Sequence, residues 1–251
     1  MRRFIQLSYN GRGFHGWQRQ PGDDSVQQRL EESLATILRE PISVTGAGRT
    51  DAGVHARKMY AHFDFAGQLP DRSRLIRALN TLVGPAIAIE DIIDVHNDAH
   101  ARFDAVARVY KYFVMFGKSP FLSEMAWYCP NGLDVNSMNE AAELLLNTAD
   151  FTSFAKLHSD SKTNICKVVR ASWDDWENDF GTPGVVFTIE ADRFLRNMVR
   201  AVVGTLVEVG RGKLSRDDFA EIIKKRNRCA AGTSMPAHAL FLWDVKYPYL
   251  N

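Results

Sequence analysis

The chain has 251 residues, with 31 Lys plus Arg against 30 Asp plus Glu and a formal net charge of +1. Its length allows one large domain or two small ones, and 45% hydrophobic with 24% charged residues excludes a disordered chain, a collagen-like repeat and a disulfide miniprotein. The even balance lacks the global basic footprint of many nucleic-acid binders, and since 13 basic and 13 acidic residues precede residue 106 and 18 and 17 follow it, any basic surface must be local.

Residues 2–9 carry aromatic and branched apolar types and stop at Asn10-Gly11, which predicts a strand. Ser25 stands as a cap before Val26, Leu30, Leu34, Ile37 and Leu38 on one helical face, with Pro41 beyond, predicting a helix from about 25 to 39. Residues 42–45 read as a strand, 46–53 hold too many glycines for regular structure, 58–65 are extended, 75–83 helical and 86–95 a strand. This β-α-β-β-α-β order is that of a ferredoxin-like unit.

In the second part 106–116 is extended and 136–146 helical, and strands at 165–176 and 184–191 flank an acidic turn at 174–179. Asp192 is a candidate cap for a long helix reaching about 209, followed by a helix at 216–225 and a closing strand at 240–245. The expected class is α+β: two ferredoxin-like (RNA-recognition-like) halves, 1–105 and 106–251, with a joined antiparallel central sheet flanked by helices.

Cys129, Cys166 and Cys229 are odd in number and widely spaced, as expected in a reducing compartment. With no signal-peptide core and no run of about 18 apolar residues, the expectation is a cytoplasmic protein with no membrane partner. His96 and His100 are four apart but follow a strand and lack further ligands nearby, so no metal is expected.

Gly11-Arg12-Gly13-Phe14-His15-Gly16 matches G-x-G-x-x-G after a strand. A dinucleotide site needs the third glycine to open a helix that receives the pyrophosphate, whereas Trp17 to Gly22 intervene before the predicted helix. Asp51, in Gly48-Arg49-Thr50-Asp51-Ala52-Gly53, is by position a turn residue. Arg49, Arg57 and Lys58 close by could also hold its carboxylate ionised, as a nucleophile or base requires.

Arg193, Arg196 and Arg200 fall at i, i+3 and i+7 on the predicted long helix, either a solvated face or a row of charge toward phosphate. Residues 224–228 are a second basic patch with the same two readings. Arg108, Tyr110 and Tyr112 share one face of a predicted strand, where an aromatic ring beside a cation is either core or a platform for an unpaired base.

Together these pieces resemble the tRNA pseudouridine synthase A family over nearly the whole chain. Residues 9–20 resemble its glycine-rich opening, and Gly46 to Ala56, an eleven-residue stretch, the segment that carries its catalytic aspartate. Residues 103–112 resemble its active-site tyrosine strand, 150–154 its central signature, 194–200 the segment with an arginine that pairs with the aspartate, and 236–242 its closing motif. The sequence departs from the family's usual pattern at Asn10, Met59, Cys166 and Ala239.

The resemblance implies a pseudouridine synthase fold and conversion of uridine to pseudouridine at positions 38, 39 and 40 of the tRNA anticodon stem-loop, without a cofactor. It implies catalytic roles for Asp51, Tyr110 and Arg200, tRNA as partner, and a homodimer. Arg49, Arg57, Lys58, Arg108, Arg193 and Arg196 are the expected RNA contacts. The alternative from another class is a non-catalytic RNA-binding module.

Overall fold

A computed structural model describes residues 1–157 and 162–250. In chain order its elements are β1 (Arg2–Tyr9), α1 (Val26–Leu38), β2 (Thr45–Gly46), β3 (His55–Asp64), α2 (Arg72–Leu82), β4 (Ile87–Asp94), β5 (Ala107–Met115), β6 (Trp127–Tyr128), α3 (Val135–Ala142), β7 (Val168–Asp175), β8 (Gly184–Ala191), α4 (Met198–Gly210), α5 (Arg216–Lys225) and β9 (Leu240–Lys246). The chain is a mixed α/β protein that divides into two compact units, Met1–Val106 with Phe241–Asn251, and Ala107–Leu240.

In the first unit β1 lies between β4 and β3, antiparallel to both. β2 joins β3 antiparallel at His62 and Ala61, and β9 runs parallel to β3 at His55 and Ala56. Ser25 caps α1 by accepting from Gln28 N, and Arg39 ends it in the left-handed region at φ 61. Val26, Leu30 and Leu34 are buried with Leu75 and Leu79 of α2, which packs beside α1, each such side chain stabilising by about 1.5–3 kcal/mol. The other sheet face is covered by the C-terminal segment, where Tyr247 meets Phe4 and Tyr60 edge-on, both at 5.3 Å, and donates its hydroxyl proton to Ala101 O. Ile42 and Val44 are buried, yet β2 pairs only Thr45 and Gly46, so the strand expected at 42–45 is largely a packed extended segment.

In the second unit β8 lies between β5 and β7, antiparallel to both, and β6 adds parallel to the far edge of β5. Its core gathers Trp173, Phe187, Ile189, Phe154 and Phe219 around α4, whose residues are buried apart from Glu208 and Arg200. Gly204 lets a neighbouring loop reach this helix, since a Cβ there would stand 1.9 Å from Thr233 O.

α4 corrects one expectation. It starts at Met198 rather than after Asp192, because Asn197 sits in the left-handed region at φ 64 and interrupts any earlier turn. Asp192 caps the preceding turn instead, accepting from Arg193 N at 2.7 Å and Lys167 N at 2.8 Å. Arg193 and Arg196 therefore precede the helix, and the row with Arg200 along one helical face does not exist.

Candidate active site

Asp51 lies in the turn between β2 and β3, partly exposed. The turn closes through Val54 N donating to Asp51 O at 3.1 Å, with Gly53 at φ 78. The glycine-rich segment that follows β1 holds it. Trp17 N donates to Thr50 O (3.2 Å), Gly53 N to Phe14 O (3.4 Å) and Gly11 N to His55 Nδ1 (3.1 Å). A buried hydrogen bond of 2.9 Å joins the Tyr9 and Thr50 hydroxyls.

Only glycine permits this approach. A Cβ at residue 11 would lie 2.0 Å from Val54 O, and one at residue 16, where φ is 93, would lie 2.5 Å from Thr50 O. The G-x-G-x-x-G spacing thus serves to seat one loop on another, and Gly16 opens no helix, since α1 begins at Val26. Backbone held from two sides in this way presents a side chain with little reorganisation left to make, which is what a reacting carboxylate needs.

The cations expected beside Asp51 have other partners. Arg49 Nε donates to Gln18 Oε1 at 3.1 Å. Arg57 lies 5.1 Å from the centre of the Trp243 ring, and Lys58 pairs with Asp244 at 3.3 Å. Adjacent residues on a strand point to opposite faces, so Arg57 and Lys58 cannot serve one carboxylate together.

In the second unit Tyr110 on β5 is half-buried, its ring edge-on to Phe194 at 5.0 Å. Tyr112, two residues on, is fully buried and donates to Pro236 O at 3.2 Å. Burial pushes the Tyr112 phenol far above its ordinary value, against a smaller opposing effect of the Arg200 guanidinium. Arg200 Nε donates to the adjacent Met235 O, and Met235 N returns a bond to Arg200 O at 3.1 Å. The structure therefore brings Arg200 to the backbone turn that also receives Tyr112.

Arg108 Nη1 donates to Asp192 O at 2.8 Å. Arg196 is exposed and accepts at its carbonyl from Lys156 N, and Arg193 is half-exposed. Lys224, Arg226 and Arg228 of the 224–228 patch are paired within the unit. Lys224 pairs with Glu221 at 2.7 Å, Arg226 with Asp150 at 3.1 Å, and Arg228 donates to Ala231 O, Gly232 O and Ser234 Oγ. Asp150, Thr152 and Ser153 form a tie to α5, with Ser153 Oγ donating to Ile222 O at 2.6 Å.

The unusual residues fit locally. Asn10 caps the short turn Gly11–Gly13 by accepting from Arg12 N, Met59 and Cys166 are buried, and the Ala239 methyl is enclosed in the turn Ala237–Ala239. The supports Tyr9, Thr50 and His55 were not singled out from the sequence. Their signal there is membership of the motif segments 9–20 and 46–56, at the end of the first strand and on either side of Asp51.

Among the described residues no three His, Cys, Asp or Glu side chains converge as a metal site, and no helix is long and apolar enough to cross a membrane.

A family model described as tRNA pseudouridine synthase matches residues 141–248. A tRNA pseudouridine synthase A of Bacteroides fragilis is 54% identical, covering 98% of this chain and 96% of its own. One of Parabacteroides distasonis is 54% identical over 99% of this chain and 97% of its own, and one of Chlorobaculum tepidum is 40% identical over 97% and 96%.

Proposed function

The chain belongs to the tRNA pseudouridine synthase A family and is an isomerase of tRNA uridine; from that premise we propose that it acts at positions 38, 39 and 40 of the anticodon stem-loop with Asp51 as the reacting carboxylate. Pseudouridine formation breaks the bond between N1 and C1′, turns the uracil, and joins C5 to C1′. A proton leaves C5 and one is gained at N1, so the atoms balance without an oxidant, reductant or cofactor. The ionised carboxylate acts as nucleophile or initiating base.

Tyr110 offers a half-buried ring for stacking on the target base and a hydroxyl for the late loss of the C5 proton. Arg200 supplies a guanidinium to keep a carboxylate ionised. A base in a stem must leave its stack first, at a cost of a few kcal/mol. Arg49, Arg57, Lys58, Arg108, Arg193 and Arg196 are assigned to the RNA, as local positive charge on a chain of +1.

We read 1–105 as a ferredoxin-like half, supported by its β-α-β-β-α-β order and by β1 lying between β4 and β3, and extend the reading to 106–251, of which Phe241–Asn251 groups with the first unit. The working form is a homodimer in the cytoplasm.

The observation that carries the reading is the full-length likeness at 54% identity to an enzyme of that name, in a chain where the Asp51 turn is pinned by the glycine-rich segment. Asp51→Asn should leave folding and tRNA binding near normal and abolish tritium release from 5-tritiated uridine in tRNA. Release comparable to the parent protein overturns the assignment.

A further inference from the structure

His55 is 1% exposed and stands at the start of β3, four residues after Asp51. Its Nδ1 accepts from Gly11 N at 3.1 Å in a buried bond, so the ring carries its proton on Nε2. The ring stacks on Phe241, with centroids 4.5 Å apart and planes at 23°. A histidine used only as core filler needs no acceptor in one place, whereas this one meets a backbone N–H whose residue is jammed against Val54 O.

Gly11 and Val54 are thus held from two directions, by contact and by the imidazole. Val54 N in turn donates to Asp51 O. Loss of the acceptor leaves the Gly11 N–H buried without this partner and removes a side-chain hydrogen bond reaching this strand end from β3.

We propose that His55 is a positioning residue for the reaction, setting the Asp51 turn through its hydrogen bond from Gly11. The proposal rests on the reading of Asp51 as the reacting carboxylate. A misplacement of about 1 Å costs on the order of 100-fold in rate, so the effect belongs in turnover rather than in tRNA affinity.

Two substitutions separate positioning from packing. His55→Phe keeps a ring against Phe241 and deletes the acceptor; His55→Asn deletes the ring and keeps an oxygen near the place of Nδ1. Expected for His55→Phe is faster amide exchange at Gly11, KM for tRNA within about 2-fold, and kcat lowered about 10-fold or more. His55→Asn should restore most of kcat even where its melting temperature is the lower of the two. Unchanged Gly11 exchange in His55→Phe, wild-type kcat in that variant, or kcat that follows melting temperature across both variants overturns the proposal. If His55→Phe does not fold, a His55→Asn protein that folds but lacks turnover overturns it as well. Full activity of Asp51→Asn would instead sink the reading beneath it, and the exchange measurement stands apart from that outcome.

Discussion

Tyr112 and Arg200 donate hydrogen bonds to adjacent carbonyls, those of Pro236 and Met235. Two neighbouring tyrosines on β5 thereby acquire different duties. Tyr112→Phe should lower the unfolding free energy by about 1 kcal/mol and leave tritium release close to normal. Tyr110→Phe keeps its edge contact with Phe194, and its tritium release should fall at least about 10-fold, within the usual range for general acid–base groups. Denaturant titration and the release assay on both variants check this, and the reverse pattern would exchange the two assignments.

Gly11 and Gly13 belong to one motif but face different surroundings. An added methyl at Gly11 meets Val54 O at 2.0 Å, whereas at Gly13 nothing lies within 4 Å. Gly11→Ala should cost about 1–3 kcal/mol, as overpacking against backbone does, and Gly13→Ala less than about 0.5 kcal/mol. Thermal melts followed by circular dichroism distinguish them; equal shifts would show that the motif is not used for loop packing.

The Tyr9–Thr50 bond joins β1 to the residue before Asp51. Tyr9→Phe leaves the buried Thr50 hydroxyl short of a partner, at an expected cost of about 1–3 kcal/mol. Thr50→Val removes the other end of the same bond, and the double variant should cost less than the sum of the two. Strict additivity in a double-mutant cycle would mean that the hydroxyls do not interact.

His62 gives the first unit a pH dependence. Burial, then the charges of Arg2 and His100, lower its pKa from 6.5 to about 4, and its Nδ1 accepts from Ala101 N. Between those values the unfolded chain holds a proton at this residue that the folded chain does not, so stability falls as pH drops from about 6.5 to about 4. The slope is at most about 1.4 kcal/mol per pH unit. His62→Gln should flatten the stability profile over that window, measured by urea titration at several pH values, while the profile above pH 7 keeps its shape.

Local signals read well along the chain. Ser25 caps α1 and residues 216–225 form α5, both as expected, whereas α2 begins at Arg72 behind an Asp71 cap rather than at 75. The reading failed at Asp192, an equally good capping type, because Lys167 N from a distant segment competes for its carboxylate. Asn197, further along the chain than Asp192, sets the true helix start by adopting a left-handed backbone.

The sequence by itself determined the class, the order of the elements, the family and the residue whose carboxylate is proposed to react, because caps, hydrophobic periods and an eleven-residue motif are all contiguous. Tertiary structure alone decided what the glycines are for, and where Arg57, Lys58, Arg226 and Arg228 place their charge. It alone showed the hydrogen bonds that His55 and Tyr9 make beside the Asp51 turn. Those outcomes depend on hydrogen bonds and contacts such as Tyr9 to Thr50 and Gly11 to His55, 41 and 44 residues apart, and no local pattern records which distant atom a donor will meet. The charge balance shows the same division: +1 follows from counting, but which cations are paired is a matter of packing.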